Sequence, residues 1–480
     1  MADESLTRKT ACELAALIRA RHMSPLELID AQLAVIARLN PTLNAIVTLA
    51  VDQAREAAQA AERALANGAE VGPLHGLPIG IKDIALTAGI RTTFGSPLFK
   101  DHVPDADAEV VRRLKAAGAI VLGKTNTPEF ATGANTVNAV FGATRNPWNP
   151  ALSPAGSSGG SAAAVASGML PLAQGTDFGC SIRIPAAFCG IVGIRPTPGL
   201  TPNHPMPLGW DPGQVHGPLA RTAADAALML DAIAGFSPLS PISVVPPWTS
   251  VLAEVEKFRD ARGLRIAYAS DIAGIGVERE IDAVCRLAAL GLRGAGASVE
   301  EIEFDASAGR EPYKAWRGAW MVGQRFAQLA QIEAFGENLK GNVKAGLKVT
   351  VLDLAAAEQT RLQLFHRFKT LFDRFDLLLT PAAPVSPYPV EMNFPAEVNG
   401  KTFENYIDWI APAFLITLMS LPAGSVPAGK TRSGLPVGLQ IVAPRFQEPR
   451  ILGLAKLIQQ VHPIGWPPLT EPPASATKAP

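Results

Sequence analysis

From Ser153 to Ser167 the chain turns abruptly to glycine, serine and alanine, reading SPAGSSGGSAAAVAS without a single charged residue. Such a stretch has the composition of a flexible linker, but Ser161 to Ser167 follows at once with high helix propensity. A linker does not end in a helix, so this segment is expected to belong inside a fold.

The flanking sequence gives that fold its class. Ser24-Pro25-Leu26-Glu27 is a capping box with proline at the first helical position, predicting a helix to about Arg38. An alanine-rich helix is expected over Val51 to Ala66, stopped by Gly68. The period then changes. Leu77 to Lys82 is short, apolar and β-branched, Asp107 to Ala117 is helical, and Ala119 to Leu122 reads as a buried strand. Farther on, a helix begins at Thr222 and runs through Ile233. Strands are expected at Leu264 to Ala269, Val299 to Phe304, Asp376 to Thr380 and Val437 to Val442. Long helices are expected from Pro312 to Phe335 and from Val351 to Phe375, and another follows Glu448. This alternation predicts an α/β fold. With no internal repeat and no composition break, residues 1–466 are expected to form one domain, with a Pro-rich, disordered tail over 467–480.

Composition excludes several function classes. The 480 residues are 48% hydrophobic, with 43 basic against 43 acidic side chains, so no net field favours a nucleic acid. Cys12, Cys180, Cys189 and Cys285 match neither a zinc site nor a disulfide framework, and the seven histidines form no H-x-x-x-H pair. No metal or organic cofactor is expected. The N-terminus mixes charge into every turn, and the longest apolar run, Ile410 to Leu418, is far below the roughly 20 residues that span a bilayer. A cytoplasmic protein without membrane association is expected, and a homodimer is compatible with these features.

Two familiar patterns fail in their context. Gly118 to Thr125 fits G-x-x-x-x-G-K-[ST], but a phosphate loop needs a strand before it and a helix after it. Here a helix precedes, the intervening residues are themselves the strand, and Pro128 stands where the helix should run. Gly156-Ser157-Ser158-Gly159-Gly160 fits the G-x-S-x-G nucleophile elbow, with His204, His216, His366 or His462 as base. Pro150 and Pro154 spoil the strand that this elbow requires.

A third reading needs no histidine. Lys82 ends a strand beside Asp83, Ser157 opens the glycine-rich loop, and Ser181 closes the phrase Gly175-Thr-Asp-Phe-Gly-Cys-Ser181. A lysine left neutral by burial can take a serine proton, and a second serine can relay it because a hydroxyl both donates and accepts. Glycines around both serines let backbone N–H groups approach a substrate carbonyl. The alternative is that Lys82 is an ion-pair residue and both serines are turn residues.

The run from Gly156 to Thr197, GSSGGSAAAVASGMLPLAQGTDFGCSIRIPAAFCGIVGIRPT, resembles the signature of the amidase signature family. Leu74 to Asp83, Gly123 to Phe130, Gly217 to Thr222 and Gly434 to Val442 are also similar to family segments. The resemblance implies a large mixed β-sheet covered by helices on both faces and hydrolysis of a small carboxylic amide. It implies Lys82 as base, Ser157 as bridging serine held through a cis peptide, and Ser181 as acylated nucleophile. It also implies an oxyanion hole from the N–H groups of Phe178, Gly179, Cys180 and Ser181. Asp177, Arg183 and Ser158 would support this loop. The same resemblance admits the glutaminase subunit of a tRNA-dependent amidotransferase, or a catalytically silent binding protein on the scaffold.

One departure stands out. Cys180 occupies a position where the family usually has glycine, so either the local backbone is ordinary there or specificity has changed. The acyl pocket is expected from Asn203 to Trp210, Tyr313 to Phe335 and Tyr406 to Phe414, whose aromatic content suggests an apolar or aryl group.

Overall fold

The computed structural model describes residues 4–470. An eleven-stranded sheet forms its centre. In chain order the strands are β1 (Ile46–Leu49), β2 (Pro78–Lys82), β3 (Ile120–Thr125), β4 (Leu172–Asp177), β5 (Val192–Arg195) and β6 (Val215–Ala220). They continue with β7 (Arg265–Tyr268), β8 (Ser298–Glu301), β9 (Leu377–Pro381), β10 (Ala423–Lys430) and β11 (Pro436–Val442). Across the sheet they lie in the order β1-β3-β2-β4-β6-β5-β10-β11-β9-β7-β8. The sheet is mixed: β2 runs parallel to both β3 and β4, whereas β4 pairs antiparallel with β6 and β10 with β11.

Alternate strand residues point to opposite faces, and here both faces are apolar. Val121 packs into one core cluster while Ile120 and Leu122 pack into another. Leu377 and Leu379 face the first cluster and Leu378 a third. Helices therefore cover both sides, as the resemblance implied.

The Ser24 capping box forms, with the serine side chain accepting from Leu26 and Glu27 N–H and heading a helix over Pro25–Leu43. The helix expected from Pro312 to Phe335 is shorter. It runs Arg310–Gln324 and gives way to a 3-10 stretch over Phe326–Ala334. The strand expected over Val299 to Phe304 is only Ser298–Glu301. Strands β1, β4, β5, β6 and β10 were not expected; in β6 and β10, VHGPLA and AGSVPAGK, glycine and proline lower strand propensity. Sheet pairing on both sides overrides that, and the register shift between Pro427 and Gly429 absorbs the proline of β10.

Disorder expected from Pro467 is corrected for its first residues. Pro468–Thr470 form a turn, Thr470 is buried, and Arg8 donates to its carbonyl at 2.9 Å. The rest of that tail lies outside the described residues. No helix among the described residues is long and apolar enough to cross a membrane.

Candidate active site

Lys82 is the last residue of β2, and its side chain is fully buried. The glycine-rich segment folds over it. Gly156–Ser157 is a cis peptide, and the helix Gly159–Ala166 follows directly. That helix begins so close to the end of β3 that a Cβ on Gly160 would stand 2.3 Å from the Asn126 nitrogen. Glycine is required there by backbone contact.

Lys82 Nζ donates to three hydroxyls: Ser157 Oγ at 2.6 Å, Ser158 Oγ at 2.9 Å and Thr176 Oγ1 at 3.0 Å. Burial pushes the ammonium down to about 7, against the pull of the Asp177 charge. Thr176 was missed in the sequence, although its place on the same face of β4 as Gln174 is a signal. Gln174 Oε1 accepts from the Lys82 backbone N–H at 3.1 Å, and its amide donates to His216 Nδ1 at 2.8 Å. His216 Nε2 then meets Asn203 Oδ1 at 2.9 Å. Burial, reinforced by Lys82, pushes His216 down to about 4, so the ring is neutral near pH 7.

After β4 the chain turns through Phe178 to Ser181. Asp177, at its start, accepts from the Arg183 side chain at 2.8 Å and from Ile182 N–H at 3.1 Å. Burial alone would raise this carboxyl, but Arg183 and then Arg195 hold it below the usual range. Arg183 also donates to the Gly179 carbonyl at 2.9 Å, to Gln440 and to the Ala413 carbonyl. The Cys180 and Ser181 carbonyls accept from Ile184 and Ser158 N–H. The loop is thus braced through its carbonyls, while among the described residues the N–H groups of Phe178, Gly179, Cys180 and Ser181 have no acceptor.

Cys180 does not adopt a positive φ, so the backbone is ordinary where glycine is usual in the family. Its thiol donates to the Gly156 carbonyl at 3.5 Å, and burial pushes it far above the thiolate range. That placement argues against a second nucleophile.

Ser157, Cys180 and Ser181 share a pocket of about 40 Å³. Tyr313, Trp320 and Tyr406 line it too, from two of the three expected segments. The third, Asn203 to Trp210, does not: Trp210 is 78% exposed, and Gln214 reaches the pocket instead. Lys124, from the rejected phosphate-loop match, lies buried in β3 and donates to the Ala85 carbonyl, Thr87 and Thr92. The elbow reading fails as well, since Ser158 precedes a helix without a leading strand and bonds Lys82.

Comparison with known proteins places this chain, with its large mixed sheet, in the class of amide hydrolases. The family model described as Amidase matches residues 27–452, and the chain belongs to this family. It is 35% identical over 473 residues to an acylamidase of Rhodococcus erythropolis, covering 96% of this chain and 97% of the relative. It is 37% identical over 484 residues to the A subunit of the glutamyl-tRNA(Gln) amidotransferase of Methylococcus capsulatus, covering 94% and 97%. A bacterial aryl acylamidase of the amidase signature enzymes has a similar structure, with a TM-score of 0.87, 30% identity and coverage of 96% and 97%. The 6-aminohexanoate cyclic dimer hydrolase complexed with substrate aligns at a TM-score of 0.85 and 27% identity, over 97% and 100%.

Proposed function

We propose that this amide hydrolase cleaves linear carboxylic amides through an acyl-enzyme on Ser181, with Ser157 relaying the proton to neutral Lys82. The observation that carries it is the 2.6 Å contact from Lys82 Nζ to Ser157 Oγ inside a shell of hydroxyls. Ser181 Oγ attacks the amide carbon, its proton passes to Ser157 Oγ, and the Ser157 proton passes to Nζ. The loop N–H groups from Phe178 to Ser181 stabilise the tetrahedral oxyanion. Collapse returns the proton to the departing amine, and water repeats the path to release the acid.

The aromatic lining and the likeness to acylamidases support an apolar or aryl substrate body. Four free cysteines among the described residues support a cytoplasmic site of action. Brief reaction with a fluorophosphonate followed by peptide mapping tests the assignment. The adduct is expected on Ser181, and an adduct on Ser158 overturns the reading.

The 37% identity with the amidotransferase A subunit is also compatible with a second reading, in which the same site releases ammonia for a partner. Copurification of a second protein, with turnover dependent on tRNA and ATP, would select it.

A further inference from the structure

The helix Arg310–Gln324 brings Tyr313, Arg317, Trp320 and Met321 to this pocket, and the proposed cycle uses neither Tyr313 nor Arg317. Tyr313 and Arg317 are four residues apart, hence on one helix face, and both line the pocket beside Ser181. Arg317 is 6% exposed, and its guanidinium donates to two neutral oxygens, Asn342 Oδ1 at 2.5 Å and Tyr406 Oη at 2.6 Å. Among the described residues no carboxylate pairs with it. The Tyr313 ring is fixed by stacking on Phe414, with centroids 3.9 Å apart and planes 2° from parallel. Its hydroxyl is buried and has no hydrogen-bond partner among the described residues. That hydroxyl faces the loop, since a Cβ on Gly179 would stand 3.0 Å from Tyr313 Oη.

A buried cation is stable when an anion or a full set of acceptors replaces its hydration. Arg183 meets that condition with Asp177 and two carbonyls. Arg317 does not, and it is the sole charged residue among those lining the inner pocket. An adjoining outer cavity of about 880 Å³ shares Arg317 and Tyr406 as its wall. Charges around that cavity balance, with Glu311, Glu337 and Asp353 against Lys314, Arg317 and Lys348. A preference for charge therefore arises at the inner wall.

Building on the reading of Ser181 as the acylated residue, we propose that Arg317 and the Tyr313 hydroxyl determine specificity by binding a carboxylate on the amide substrate. A planar carboxylate matches the guanidinium fork, and the tyrosine hydroxyl supplies a further donor. The stacked Phe178 and Trp320 rings, with centroids 4.2 Å apart, accommodate the apolar body of the same molecule.

Matched anilides test this on the full-length protein. Succinic acid mono-4-nitroanilide against butyric acid 4-nitroanilide places the charge on the acyl half. 4-Acetamidobenzoate against acetanilide places it on the amine half. In one of these pairs the anionic member should be favoured at least about tenfold in kcat/KM, through KM. Arg317→Met should collapse that ratio to about one, with Arg317→Lys keeping part of it. Absence of preference in both pairs overturns the proposal. So does an Arg317→Met variant that slows both members equally, because a purely structural arginine would do that. If Arg317→Met does not fold, competitive inhibition of the wild type by succinate against butyramide decides the same question: stronger inhibition by succinate supports the site, and equal inhibition overturns it. Fluorophosphonate labelling of Ser181 keeps the two readings apart. Labelling without carboxylate preference sinks the specificity site alone, and failure to label Ser181 sinks the assignment beneath it.

Discussion

Lys82 Nζ lies 2.6 Å from Ser157 Oγ, in a buried shell that also holds the hydroxyls of Ser158 and Thr176. A hydroxyl shell can hydrogen-bond an ammonium but cannot neutralise it, so desolvation dominates and the lysine titrates at about 7. Below that pH the base is charged and cannot take a proton. Above it the base is competent. The pH profile of kcat/KM should therefore rise through about 7 to a plateau on the alkaline side, and a maximum in acid would exclude Lys82 as base. Lys82→Met should lose about 10³-fold or more in kcat in a steady-state assay.

Lys124 is a second buried lysine pushed down to about 7, again by burial first. Unfolded lysine titrates at about 10.4, so between these values the unfolded chain binds the extra proton and stability rises with pH. Below about 7 both states carry the charge, and the burial penalty is present in full. Denaturant midpoints of wild type and Lys124→Met, compared from pH 7 to 10, should diverge steadily in favour of wild type. Parallel curves would count against charge burial at this site.

Cys180→Gly should retain amide turnover within about threefold, since the cysteine has an ordinary φ and its thiol is held by the Gly156 carbonyl. Iodoacetamide at pH 8 should leave the wild-type enzyme active, because burial keeps the thiol protonated. Rapid inactivation tracking with modified Cys180 would refute this placement.

Arg183→Met removes the nearer of the two buried guanidinium partners of Asp177, leaving Arg195 at 3.7 Å, and removes the brace on the Gly179 carbonyl. Equilibrium unfolding should show a loss of about 3–5 kcal/mol. Adding Asp177→Asn should not recover it, as the double variant then buries Arg195 without its carboxylate.

Gly160→Ala should be destabilised by about 3 kcal/mol or more, because the new methyl would meet the Asn126 and Ala45 backbones rather than side chains that can move. Soluble yield and thermal midpoint read this directly.

The sequence by itself determined the parts whose physics is local. The Ser24 cap, the β3 strand over part of the false phosphate loop, and the Gly156–Ser181 phrase are short-range patterns, and Lys82 was legible beside them through family resemblance. Strands β1, β4, β5, β6 and β10 were not legible; in β6 and β10 the glycines and prolines argue for loops, and pairing with neighbouring strands holds them extended. Thr176 as the third partner of Lys82, and the meeting of Arg317 with Tyr406 across 89 residues, likewise came from the tertiary structure. Propensity and capping act within a few residues, whereas burial is a property of the assembled sheet and its covering helices. Burial is what pushes Lys82 down to about 7, and the tertiary structure alone supplied it.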